Sequence, residues 1–157
     1  MINSSELKQR LYQHCMSYVD ELIDRAQRGL HDAQKSANHE QKSSAGDKFE
    51  THRAMMHLQA ESFIRRLNEA QALAEELQQL KLQTFNAVRL GALFETDTGF
   101  FFAAISAPVC EIEGIKYTCL SKQAPFYKAI QGSKVGDGIE WKNKQGEDDW
   151  IEVLSIH

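Results

Sequence analysis

Only two prolines occur among the 157 residues, Pro108 and Pro125, and both lie in the last third. Residues 1 to about 82 hold none and just two glycines, Gly29 and Gly46, so nothing there forbids long uninterrupted helices. No apolar run approaches the roughly 18–20 residues that a membrane span needs. The opening MINSSELKQR has no apolar core after its charges, so no secretory signal is expected. Three cysteines (Cys15, Cys110, Cys119) are an odd number without CxxC spacing, which argues against a disulfide framework or a zinc site. An intracellular, reduced, cytoplasmic protein with no membrane partner is the expectation. Positive charge is not in excess either. With a net charge of −4 and 25% charged residues, general nucleic-acid binding is not expected, because it usually shows as a basic domain.

Catalytic constellations are also missing. No serine lies in a GxSxG setting or beside a His/Asp pair, and no cysteine has a nucleophile context. His52 and His57 are five residues apart, not the four of a helical metal pair. Met55, Met56 and Phe63 read as core residues rather than a cofactor box. The later glycines are scattered through turns and make no phosphate loop, and no aromatic-lined prolyl-isomerase pocket is evident in the last third. An autonomous enzyme is not expected.

What is present is a change of pattern near 80–86. Positions 49, 53, 56, 60, 63, 67, 70, 74 and 77 alternate steps of four and three, and eight of the nine are apolar. They predict a coiled-coil seam, with Arg53 the exception. An earlier and rougher series runs through Leu7, Leu11, Cys15, Tyr18, Leu22, Ala26, Leu30 and Ala33. Each predicts a helix of about 30 residues, or roughly 45 Å. The polar link SANHEQKSSAG, 36–46, reads as the turn that makes the two helices antiparallel neighbours. A helical pair folded onto a globular body is the alternative.

After Thr84 come seven of the nine glycines and most of the aromatics. The runs VRLGALFETD, GFFFAAIS, IKYTCLS, GIEWKN and DDWIEVLSIH predict five strands, with DTG, EG, GDG and KQGE as hairpin-type links. One short helix is expected at about Ala124 to Ile130. The expected fold class is therefore α+β. An N-terminal antiparallel coiled-coil hairpin fills 1–82, and a small, mostly antiparallel β-rich domain with one short helix fills 83–157.

Asp47 and Glu50 stand three residues apart where the second helix begins. Three residues are about 300° of rotation, so both carboxylates would leave nearly the same side of the helix. Hard oxygen ligands of this kind suit Mg²⁺, which keeps water in its remaining positions. Two carboxylates alone would bind such an ion weakly, so a pair at the end of a helical hairpin implies a partner that completes the site. The simpler reading is a capping box, with Asp47 as N-cap and Glu50 at N3. Lys42, Lys48, His52 and Arg53 add positive charge around the same tip, where they could meet a phosphate backbone.

Three stretches resemble the Gre family of bacterial transcript cleavage and elongation factors. GDKFET, with Asp47 and Glu50, is similar to the family's Asp-x-x-Glu. VRLGALFET, 88–96, is similar to the opening strand of its C-terminal domain. CLSKQAPFYKAIQGSKVGD, 119–137, resembles its S-x-x-S-P, short helix and G-x-x-x-G-D stretch. The resemblance covers nearly the whole chain and implies an FKBP-like C-terminal domain. It also implies a factor that docks at RNA polymerase's secondary channel and inserts its coiled coil. There Asp47 and Glu50 would act as the catalytic-assist pair, holding Mg²⁺ shared with the polymerase active site. Backtracked RNA is then hydrolysed by the polymerase and not by the factor. Lys48 and Arg53 become candidates for RNA contact at the nascent 3′ end, and Ser121, Pro125 and Phe126 for polymerase docking. A monomer is expected when free. The chain departs from the family pattern after Glu50, where Thr51-His52-Arg53 replaces Asn-Ala-Glu, and at Ala124, where Ser is usual. The alternatives are a channel-binding regulator without cleavage stimulation, and a coiled-coil adaptor for another protein.

Overall fold

Asn3 starts the first helix: its side-chain oxygen accepts from the Glu6 backbone N–H at 2.9 Å, as an N-cap does. From there α1 runs over Ser4–His39 and α2 over Gly46–Gln78. The computed structural model describes residues 2–39 and 46–157, with side chains for 2–38 and 48–157. The expected link at 36–46 is shorter than the sequence suggests. Ser36–His39 continue α1, because Ala37 is buried and Ser36 finds a side-chain partner in α2. The rest of the link, 40–45, lies outside the described residues.

The chain divides into two compact units, Val19–Glu75 on one hand and Met1–Tyr18 with Glu76–His157 on the other. In the first, α1 and α2 pack antiparallel. Ser36 lies 3.4 Å from His52, Gly29 sits under the Phe63 ring, and Leu22 and Ala26 share a cavity of about 280 Å³ with Ala70 and Leu73. Small residues set the spacing. Ala26, Ala33, Ala37, Ala60 and Ala70 are buried, and a Cβ added at Gly29 would come within 2.2 Å of the Phe63 ring. Arg53, an expected seam position, is exposed, and half-buried His52 faces α1 instead. The cause is the 3.6-residue period of a straight helix, which drifts from a 3.5-residue seam over successive turns. Met55, Leu58 and Ile64 are exposed, so this helix is not polar everywhere outside its seam.

The second unit is built on a six-stranded sheet of order β3-β4-β2-β1-β6-β5. Its strands are β1 Leu93–Thr96, β2 Gly99–Ala104, β3 Ala107–Ile112, β4 Ile115–Ser121, β5 Gly138–Lys142 and β6 Asp148–Ile156; α3, Pro125–Ile130, follows β4. The expected run 88–97 yields only β1, because Gly91 breaks it. Gly91 has φ +94°, and a Cβ there would stand 2.5 Å from the Lys81 carbonyl oxygen. β3 is a sixth strand that sequence patterning did not predict, since Pro108 disguises it. As an edge strand it tolerates proline. The EG link is a two-residue hairpin turn with both residues at positive φ, Glu113 at 52° and Gly114 at 81°. GDG leads out of α3 into β5 and closes no hairpin. All pairs are antiparallel except β2 with β4, which run parallel because β3 takes the edge and leaves its hairpin partner beside β2.

Strand alternation gives the sheet two buried faces. One carries Phe94, Ala103, Leu120, Ile151 and Val153 against Tyr127 and Ile130 of α3. The other carries Phe102, Tyr117 and Cys119, and it is met by the first turns of α1. There Cys15 reaches Cys119, and His14 Nε2–H donates to the Pro108 carbonyl at 2.7 Å. Ser4 Oγ lies 3.1 Å from His157 Nδ1, which ties the start of α1 to the residue after β6.

Lys8 is buried beside this face. Its ammonium donates to the Gln83 carbonyl at 2.6 Å and lies 4.9 Å from the centre of the Phe85 ring. Burial pushes its pKa down from 10.5 to about 8. Between those values the unfolded chain holds a proton that the folded one has released, so stability rises with pH across the window. Below pH 8 the cost of burying the charge is fully present. Lys8→Met should flatten that rise. The check is the denaturant midpoint of both proteins from pH 8 to 10.5, where parallel curves would refute the assignment.

Candidate functional site at the closed end of the helical pair

α2 begins at Gly46, so the backbone of Asp47 already lies in its first turn rather than ahead of it as an N-cap. The Asp47 side chain and Lys42 lie outside the described residues. Glu50 is exposed, and so are Lys48 and Arg53, while Phe49 and His52 are half-buried toward α1. On the helical wheel Glu50 is about 100° from Phe49, which turns it away from the seam. Arg53, one position past His52, falls about 60° from Glu50 and shares its flank. The seam drift that exposes Arg53 therefore turns it toward the same flank of the helix as Glu50, and no ion pair joins these two described residues. Among the described residues no group of three His, Cys, Asp or Glu side chains could hold a metal by itself. Glu50 supplies an accessible hard oxygen donor, which suits Mg²⁺ when other ligands come from elsewhere.

The other expected contact residues lie where β4 passes into α3. Half-buried Ser121 ends the strand, and its carbonyl accepts from Ala124 N–H at 3.1 Å. Pro125 is exposed at the first position of α3, where its missing N–H costs nothing. Phe126 points into the unit, with its ring 4.9 Å from Phe101 and 5.4 Å from Trp141. The glycines that follow serve the backbone. Gly132 and Gly136 have φ of 83° and 90°, and Asp137 accepts from Lys134 N–H at 2.8 Å. Val88 exchanges backbone hydrogen bonds with Gly132 and Ser133, both at 2.8 Å, so the stretch after α3 is anchored to the residues before β1.

Solved transcription factors of the Gre type are similar to this chain. A structure of the transcription factor Gfh1 shares 18% identity over 93% of this chain and 92% of its own, with a TM-score of 0.38. The GreA factor homolog 1 protein of Thermus thermophilus shares 18% over 93% and 94%, with a TM-score of 0.35. A prokaryotic transcription elongation factor GreA/GreB from Nitrosomonas europaea shares 16% over 55% of this chain and 77% of its own, at 0.36. No family model and no curated protein matches the chain. Superposition at that level assigns no role to any residue.

One feature of this unit was not legible in sequence. Phe101, Phe126 and Trp141 line a groove of about 610 Å³ with Leu120 and Ile151, rimmed by Lys142, Lys144 and Asp149. The three rings come from β2, α3 and β5, and only the sheet order and the docking of α3 bring them together.

Among the described residues no helix is long and apolar enough to cross a membrane.

Proposed function

We propose that this chain is a Gre-like elongation factor that binds RNA polymerase at its secondary channel and promotes cleavage of backtracked RNA. The observation that carries this reading is an exposed Glu50, three residues after Asp47, at the closed end of an antiparallel helical pair. Residues 46–75 of α2 alone give about 45 Å of helix, enough to bring that end into a deep, narrow opening. Asp47 and Glu50 would hold Mg²⁺ together with ligands of the polymerase, and the ion supplies charge neutralisation and an activated water to phosphodiester hydrolysis. The protein's own part is to deliver two fixed negative charges and to orient what they hold. Lys48 and Arg53 stand beside them to meet transcript phosphates. Exposed Pro125, next to Ser121 and Phe126, belongs to the docking surface on an FKBP-like domain.

A second reading, a channel regulator that does not stimulate cleavage, is favoured by one observation. Exposed Arg53 shares the flank of Glu50, so its positive charge would oppose a metal ion held at that carboxylate. Stalled, backtracked complexes with labelled transcripts, incubated with the protein and Mg²⁺, separate the two. Release of short 3′ fragments is the expected result. Altered elongation without fragments selects the regulator, and no association with polymerase sinks both.

A further inference from the structure

Three thiols converge on the sheet face met by α1, remote from the carboxylate pair in sequence. Cys15 of α1 and Cys119 of β4 are both buried, with their sulfurs 3.9 Å apart. Cys110 of β3 pairs across the ladder with Tyr117, two residues before Cys119, and so stands on the same face; it is partly exposed. A separation of 3.9 Å is sulfur–sulfur contact, whereas a disulfide requires about 2.05 Å. Each sulfur would have to travel only about 1 Å, a change that side-chain rotation can supply. The Cys15 S–H donates to the Cys119 sulfur, which pushes the Cys119 thiol down and the Cys15 thiol up. Of the two, Cys119 is the more readily deprotonated, and the thiolate is the reactive form. The ladder beside it is irregular between Ala107 and Cys110, in an edge strand, where local opening of the sheet is easiest and would let a small oxidant reach the sulfurs.

We propose that Cys15 and Cys119 are a peroxide-oxidisable pair that closes to an intramolecular disulfide. The Cys119 thiolate attacks one oxygen of hydrogen peroxide, the O–O bond breaks, and a sulfenic acid forms as hydroxide leaves and takes up the proton that the Cys119 thiol released. The Cys15 sulfur then attacks the Cys119 sulfur. An S–S bond forms, the S–OH bond breaks, and the hydroxide departs as water with the Cys15 proton. Two thiols and one hydrogen peroxide give one disulfide and two waters, and a reduced dithiol reverses the change by exchange. Closure links residues 104 apart in sequence and fixes α1 to the strand that leads into α3. So long a loop removes much of the unfolded chain's freedom, and the oxidised protein should melt roughly 10 °C higher.

The full chain is treated with hydrogen peroxide, alkylated, and mapped as peptides without reduction. The expected result is a Cys15–Cys119 cross-link in most molecules, with a melting shift that dithiothreitol reverses. Cys110→Ser should keep both effects, and Cys119→Ser should lose both. Alkylated Cys15 and Cys119 after peroxide, or cross-links that involve Cys110 instead, would overturn the proposal. The wild-type map decides by itself if a cysteine variant fails to fold.

Discussion

Replacing Asp47 and Glu50 together by alanine should leave polymerase binding intact and reduce stimulated cleavage by at least about a hundredfold, the loss usual when a fixed charge at a reacting centre is removed. Two properties separate the effects. Glu50 is exposed and faces away from the seam, so its loss disturbs packing little, within about 0.5 kcal/mol. The residues expected to dock, Ser121, Pro125 and Phe126, lie elsewhere in the chain, between β4 and α3. Glu50→Gln keeps the shape and removes the charge, and it should lose most of the activity by itself. The measurement is fragment release from backtracked complexes at saturating factor, with binding followed in parallel. Equal rates for wild type and double variant would leave the acidic pair with no catalytic part.

Phe102→Ala should cost about 3–5 kcal/mol, a large share of the 5–15 kcal/mol that holds a typical domain together. Phe102 is fully buried, and its ladder neighbours are Leu93 on one side and Cys119 on the other. Truncation opens a cavity on the face met by α1, where a helix fixed by several polar contacts is poorly able to collapse inward. Phe100→Ala is the comparison. Its ring is only half-buried, with one ring partner, Tyr117, at 5.5 Å, and it should cost less than half as much. Both tryptophans, Trp141 and Trp150, belong to the same unit as the sheet, so their fluorescence in a denaturant titration reports its unfolding directly. A loss under about 1 kcal/mol would mean that the face repacks freely.

Much of this was legible in sequence, for reasons that differ by element. The helical pair follows from steps of three and four that only a helix can place on one side, and from the lack of proline to interrupt them. The seam fails at Arg53 because a heptad written in letters cannot show the slow rotation of a straight helix. β3 was hidden because its proline and exposed valine look like a loop until the neighbouring strand makes it an edge. Gly91 is readable as a breaker only once the Lys81 carbonyl lies against it. The acidic pair and the stretch 119–137 were visible as letters. The reason for the latter's glycines, two positive φ angles and a turn closed by Asp137, is visible only in the backbone. The aromatic groove and the cysteine contact join residues from separate elements, which no local pattern records.

The sheet-bearing unit draws on both ends of the described chain, with Ser4 on His157 and Cys15 on Cys119. During synthesis the first turns of α1 leave the ribosome long before β4 and β6 exist to receive them. Leu11 and Cys15 must therefore wait, unburied, while the helical pair can already close. Translation order thus makes the helices early and the sheet late. A nascent chain paused before β6 would still expose the apolar residues that the completed sheet buries.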